Sequence, residues 1–392
     1  MTTATLDRSA TPPRGSDRPR QRAPRLFALD GLRLVCALAV AGYHFGDSWR
    51  LDGVHPPAYF LPDAAPVLIY GFLGVEVFFL ISGFVIMVNG WGRTVREFAA
   101  SRAARLYPAF WAGAMITTVV TAVLPISGGL PFSRLPDAGD TVVNLSMLAE
   151  PLNTPLTDTV YWTLWAEFRF YLIVACVLAG GLTDRRVRVF GTVWLVAALA
   201  MPSFPGAVLN EMVMAEFAPY FVAGMTMFLL RRNRSDAWSW VLLVACWLVS
   251  LHHVHVRALD LKPGFEVAVW PALVLLTLAY VVLLAIALGA TDRVTWRWLG
   301  TAGMLSYPFY LLHQRVGYSL IRTIHAETQL PAPTLIGGTV LVLLAVAWLV
   351  HRFVERPLAP VVRTLVLGRR KQGVAEGVVP NMRKHETKDD GR

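Results

Sequence analysis

Charge is scarce in this chain. Asp, Glu, Lys and Arg make up 16% of its 392 residues, where a soluble domain carries about a quarter. Lysine is nearly missing, with Lys262, Lys371, Lys384 and Lys388 the only four among 36 basic residues. Such an arginine-for-lysine bias, with abundant alanine, is that of a high-GC bacterial genome. Cysteine is limited to Cys36, Cys176 and Cys246, each within an apolar run, which leaves no disulfide framework and no CxxC metal site. A Gly-rich phosphate loop, a GxSxG elbow and an HExxH helix are absent, so the usual soluble nucleotide, serine-hydrolase and zinc-protease chemistries have no foothold. The first 25 residues hold Arg, Pro, Ser and Thr without an apolar stretch, and read as a disordered basic arm rather than a secretory signal. What is there instead is hydrophobicity, at 55% of residues with a mean hydropathy of +0.50. The class is an all-α integral membrane protein.

A helix needs about 20 apolar residues to cross the roughly 30 Å hydrocarbon layer. Ten such runs are expected, at 27–45, 67–89, 106–124, 161–182, 187–202, 211–230, 237–253, 266–290, 299–320 and 334–354, the fifth being the shortest. If the N-terminal arm is cytoplasmic, alternate connections should collect the basic residues. They do: Arg93, Arg96, Arg102 and Arg105; Arg185, Arg186 and Arg188; Arg231, Arg232 and Arg234; Arg293 and Arg297; then Arg352, Arg356 and the 369–371 stretch. The 125–160 connection opposes Asp137, Asp140, Glu150 and Asp158 to a single Arg134, as an extracytoplasmic loop should. Both termini are therefore expected in the cytoplasm of a bacterial cell, with a 1–25 arm, a 26–358 membrane domain and a 359–392 polar tail. No second soluble domain is expected, and nothing points to nucleic acid.

Ionisable groups at membrane depth cost several kcal/mol unless paired or used. Asp30, Arg33 and His44 fall in the first run. Arg33 and His44 are 11 residues apart, within about 20° of three full turns and roughly 16 Å along a helix, so they share a face. Arg33 lies in the inner half and His44 near the outer boundary. Glu76 and Glu167 fall at depths approaching His44, and a carboxylate beside a histidine makes a proton-abstracting pair suited to activating an alcohol. The competing reading pairs either glutamate with Arg169 or Arg33 as helix glue. Arg102 and Arg105, at i and i+3 on a helix start, fit the positive-inside rule and equally fit bidentate phosphate recognition. His313, deep in the ninth run, is as readily packed as functional, and His252, His253 and His255 lack the spacing of a metal site.

In order along the chain stand Leu29-Asp-Gly-Leu-Arg33 with its histidine 11 residues on, Gly74-Val-Glu-Val-Phe-Phe-Leu-Ile-Ser-Gly-Phe84, and Arg102-x-x-Arg105-Leu-Tyr-Pro108. Trp162-Thr-Leu-x-x-Glu167-x-x-Phe170-Tyr171, Ser306-Tyr-Pro-Phe-Tyr-Leu-Leu-His313 and Glu355-Arg-Pro357 follow. Together these strings resemble the acyltransferase 3 family over about residues 26–358. The resemblance implies some ten helices and transfer of an acyl group, commonly acetyl from acetyl-CoA, to a hydroxyl of a carbohydrate or other acceptor, with no metal. It makes His44 the catalytic histidine, Arg33 an essential buried cation, Arg102 and Arg105 the donor-binding pair, and Glu167 the fourth-span acid. Asp30, Glu76 and His313 are the candidates for contacting the acceptor. No C-terminal esterase-like domain, of the kind some polysaccharide-modifying members append, is expected after the membrane domain, which keeps small natural products such as macrolides open as acceptors.

The expected reaction brings CoA phosphates to Arg102 and Arg105, runs the thioester past Arg33, and uses His44 to deprotonate the acceptor. Two other readings fit parts of the pattern. A proton-coupled transporter or flippase would also bury charges in ten helices, and the other large superfamily of membrane acyltransferases carries its histidine late, which here would be His313.

Overall fold

The computed structural model describes residues 26–47, 49–126, 128–130, 136–200, 207–261, 265–328 and 330–368. The expected N-terminal arm, Arg134 and the tail from residue 369 lie outside them. The described elements are all helical. α1 (Phe27–Gly46) is followed by the short α2 (Pro57–Phe60) and α3 (Ala65–Leu68), a 3-10 turn, α4 (Leu73–Gly90) and α5 (Val95–Val123). Then come α6 (Ala138–Asn144), α7 (Trp162–Ala179), α8 (Asp184–Ala200), α9 (Ala207–Val213), α10 (Ala218–Arg232), α11 (Ala237–Asp260) and α12 (Val269–Ala287). α13 (Arg297–Leu312), α14 (Arg315–Glu327), α15 (Ala332–Val350), a π-helical turn over His351–Glu355 and α16 (Arg356–Leu367) are the last described elements.

Among the described residues, eight helical segments are long and apolar enough to cross a membrane. The polarity pattern is that of a lipid-solvated protein. Large apolar side chains such as Val119, Leu172, Val193, Val241, Leu278 and Leu341 face outward, while Glu76, Asp158, Arg169, His313, Gln314, Arg315 and Glu355 are buried. The protein is thus a multi-pass membrane protein.

The fifth and ninth of the ten expected spans are not among the eight. α8 has 17 residues, about 26 Å of helix, and its first five residues include Arg185, Arg186 and Arg188. The ninth breaks in two: α13 stops at Leu312 and α14 starts at Arg315, with His313 and Gln314 at the junction. The buried carboxylate of Asp158 accepts the Arg315 amide at 3.0 Å and thereby satisfies one of the donors a helix start leaves open. At the C-terminal end, the expected domain boundary at Leu358 falls inside α16, an amphipathic helix laid against α5.

Small residues let the central helices approach closely. α4 packs against α10 where Gly83 meets the backbone carbonyl of Phe221 and Gly224 meets that of Leu80. A methyl group at either glycine would sit inside the van der Waals radius of that carbonyl oxygen. Gly83→Ala or Gly224→Ala is therefore expected to push α4 and α10 apart and cost about 1–3 kcal/mol, read as a lower thermal midpoint of the detergent-solubilised protein. Gly337→Ala, where an added methyl meets nothing, is the control.

Candidate active site

Four of the sequence-nominated residues converge on one cavity of about 250 Å³, which Arg33, Arg102, Arg105 and Glu167 all line. Helical periodicity explains the convergence. α7 presents Thr163, Glu167 and Tyr171 at successive i, i+4 positions, α4 presents Val75, Phe78, Phe79, Ser82 and Val85, and α13 adds Ser306, Tyr307 and Tyr310. α5 starts at a capping box in which the Thr94 hydroxyl accepts from the Glu97 amide and the Glu97 carboxylate accepts from the Thr94 amide. From that start Arg102 lies about two turns and Arg105 about three turns into the helix, both on the cavity side.

The cavity is electrostatically mixed. Arg33 lies within reach of the charges of Asp30, Arg105 and Glu167. Glu167 accepts hydrogen bonds from Ser82 (3.0 Å) and from the Tyr171 hydroxyl. Arg102 stands over the Tyr171 ring at 5.8 Å and donates to the Ser101 hydroxyl. Arg105 stands over the Tyr307 ring at 5.5 Å and pairs with the buried Glu355, which also holds His351 at 2.9 Å. Cations with aromatic faces and hydroxyls around an otherwise apolar pocket can hold an anionic, elongated molecule and orient a polar group within it.

His44 is not on this cavity. Its Nδ1 lies 3.1 Å from Nε2 of Gln314, its backbone carbonyl accepts from the Tyr318 hydroxyl, and its ring centroid is 5.3 Å from that of His313. His313, fully buried, donates from Nδ1 to the Tyr310 carbonyl at 2.7 Å, and its Nε2 has no hydrogen-bond partner among the described residues. Tyr310 lines the cavity. The histidines therefore form a second centre behind the Tyr310 wall of the cavity, where the Phe78 ring packs on Tyr310 at 5.7 Å.

Two expectations are corrected by this arrangement. Glu167 belongs to the arginine cavity, and its hydrogen bonds go to Ser82 and Tyr171 rather than to His44. Glu76 lies off the cavity, 3% exposed, and is ion-paired to Arg257 near the end of α11. The glue reading holds for Glu76 with a different cation, because α11 runs to Asp260 instead of ending near residue 253. Arg169 pairs with Glu211. Asp30 is half-buried at the close approach of α1 to Gly303 of α13. Asp158, Gln314 and Glu355 are polar residues near the site that the sequence pattern does not mark as functional. The polar run His313-Gln314-Arg315 inside an apolar segment was the available signal for the helix break.

Comparison with known proteins agrees with this class. A family model described as an acyltransferase domain matches residues 26–352, and the chain belongs to the acyltransferase 3 family. It is 28% identical over 388 residues to the acyltransferase MdmB of Streptomyces mycarofaciens, covering 89% of this chain and 94% of that protein. It is 29% identical over 311 residues to the exopolysaccharide production protein ExoZ of Rhizobium meliloti (strain 1021), covering 74% and 89% respectively. No solved structure matches.

Proposed function

We propose that this acyltransferase moves an acyl group, acetyl above all, from acyl-CoA to a hydroxyl of a carbohydrate or glycan-type acceptor at the cell membrane, with both chain termini in the cytoplasm. The observation that carries the reading is the convergence of Arg33, Arg102, Arg105 and Glu167 on one cavity whose Tyr310 wall contacts His313, which in turn faces His44. Arg102 and Arg105 bind the donor phosphates. Arg33 polarises the thioester carbonyl, the place where negative charge develops. The acyl end passes Phe78 and Tyr310 to the histidines. There His44 takes the proton of the acceptor hydroxyl, and His313, through its unpartnered Nε2, accepts a second hydrogen bond from the acceptor. The alkoxide oxygen bonds to the acyl carbon, the C–S bond breaks, and the CoA thiolate leaves and takes up the proton held by His44. The relative ExoZ, by its name, serves exopolysaccharide production, which favours a glycan hydroxyl.

The test uses membrane vesicles from cells expressing the protein, incubated with [14C]acetyl-CoA, with label followed into glycan, lipid and small-molecule fractions. Transfer into the glycan fraction is the expected result. Label in a small-molecule fraction alone moves the acceptor to a natural product, and absence of any acylated product, with solute accumulation instead, replaces the enzyme reading by a transporter.

A further inference from the structure

We infer that Gln314 selects the tautomer of His44 and so acts as the positioning residue of the proposed general base, an inference that rests on the function proposed above. Gln314 stands at the break between α13 and α14, 2% exposed, with its carbonyl already accepting the Tyr318 amide at 2.8 Å. Its side chain can move little except by rotation of the terminal amide. Nε2 of that amide is 3.1 Å from His44 Nδ1, and Oε1 is buried without a partner among the described residues.

The two orientations of the amide have opposite consequences. With the NH2 group donating into Nδ1, the single proton of neutral His44 sits on Nε2, and the imidazole can only donate there. After a half-turn about the last bond, the two amide atoms exchange places, and Oε1 accepts from Nδ1–H. The lone pair is then on Nε2, free to take a hydroxyl proton, and the imidazolium formed keeps the same Nδ1–H to Oε1 bond. The other charged or titratable groups around His44 are His313 at the break, Tyr318 of α14, Arg257 of α11 with its partner Glu76 of α4, and Tyr43 on the same helix. The carboxylate among them is committed to Arg257, and the neutral amide of Gln314 is the group hydrogen-bonded to Nδ1.

The experiment measures turnover per mole of protein at saturating [14C]acetyl-CoA, as a function of pH, in vesicles whose own glycans and lipids supply the hydroxyls. Gln314→Leu is expected to lower turnover by about 10- to 100-fold with the KM for acetyl-CoA unchanged. Gln314→Glu places a carboxylate against Nδ1, stabilises the imidazolium, and is expected to move the acidic limb of the turnover profile upward by about one pH unit or more. If Gln314→Leu fails to accumulate, Gln314→Glu decides alone through the position of that limb. Wild-type turnover in Gln314→Leu, or an unmoved limb in Gln314→Glu, overturns the inference while leaving the function intact. Absence of transfer by the wild-type protein overturns both.

Discussion

Replacing His44 by alanine is expected to lower acyl transfer at saturating acetyl-CoA by about 10²- to 10⁴-fold, with the KM for the donor close to the wild-type value. The split follows from geometry. Arg33, Arg102 and Arg105 face the donor cavity, whereas His44 lies beyond its wall, against Gln314 and His313. Removing the imidazole therefore takes away proton transfer and leaves the phosphate-binding surface untouched. It also spares the fold more than removal of a buried charge would, since the His44 side chain is only half-buried and is held by a single side-chain hydrogen bond. The informative companion is His313→Ala, measured in the same vesicles. His313 is fully buried and hydrogen-bonded within its own helix turn, so its loss should weaken acceptor use more than it abolishes chemistry. Full turnover in His44→Ala combined with complete loss in His313→Ala would transfer the base to the late histidine, whose Nδ1–H is already tied to a carbonyl and whose Nε2 carries the lone pair.

The arginine end of the site is legible in the sequence on two grounds: Arg33 and Glu167 are ionisable at membrane depth, where the cost of an unneeded charge marks them out, and Arg102 and Arg105 form a phosphate-matching basic pair at a helix start. The cavity assembles all four. Depth alone did not assign partners. Glu167 and His44 stand at similar expected heights, yet rotation about their helices sends Glu167 to Ser82 and Tyr171 and His44 to Gln314. Uncharged polar residues such as Ser82, Tyr310 and Gln314 incur too small a penalty to stand out from an apolar run, so their hydrogen-bonding roles are not legible from depth. Pairs far apart in sequence were equally hidden. Arg257 reaches Glu76 across 181 positions, and Arg105 reaches Glu355 across 250. The broken ninth span was readable in principle from three consecutive polar residues, but an overall apolar average conceals a two-residue interruption.

The pair formed by Arg105 and Glu355 supplies the second large effect, because it mixes a binding role with a structural one that a double substitution can separate. Arg105→Ala leaves Glu355, 5% exposed, buried at the π-helical turn with His351 as its remaining ion-pair partner among the described residues. Breaking a buried pair from one side costs about 3–5 kcal/mol, so the thermal midpoint in detergent should fall clearly. Losing a charged hydrogen bond to a donor phosphate costs about 1.5–3 kcal/mol, which raises the KM for acetyl-CoA by roughly 10- to 100-fold. Glu355→Ala should lower the midpoint comparably but change that KM far less, since the guanidinium remains on the cavity wall over Tyr307. Removing both partners leaves no unpaired charge, so Arg105→Ala with Glu355→Ala together should recover much of the lost stability. The KM should stay high. If the double variant restores donor affinity along with stability, Arg105 is a strut between α5 and the turn before α16, and phosphate recognition falls to Arg102 and Arg33.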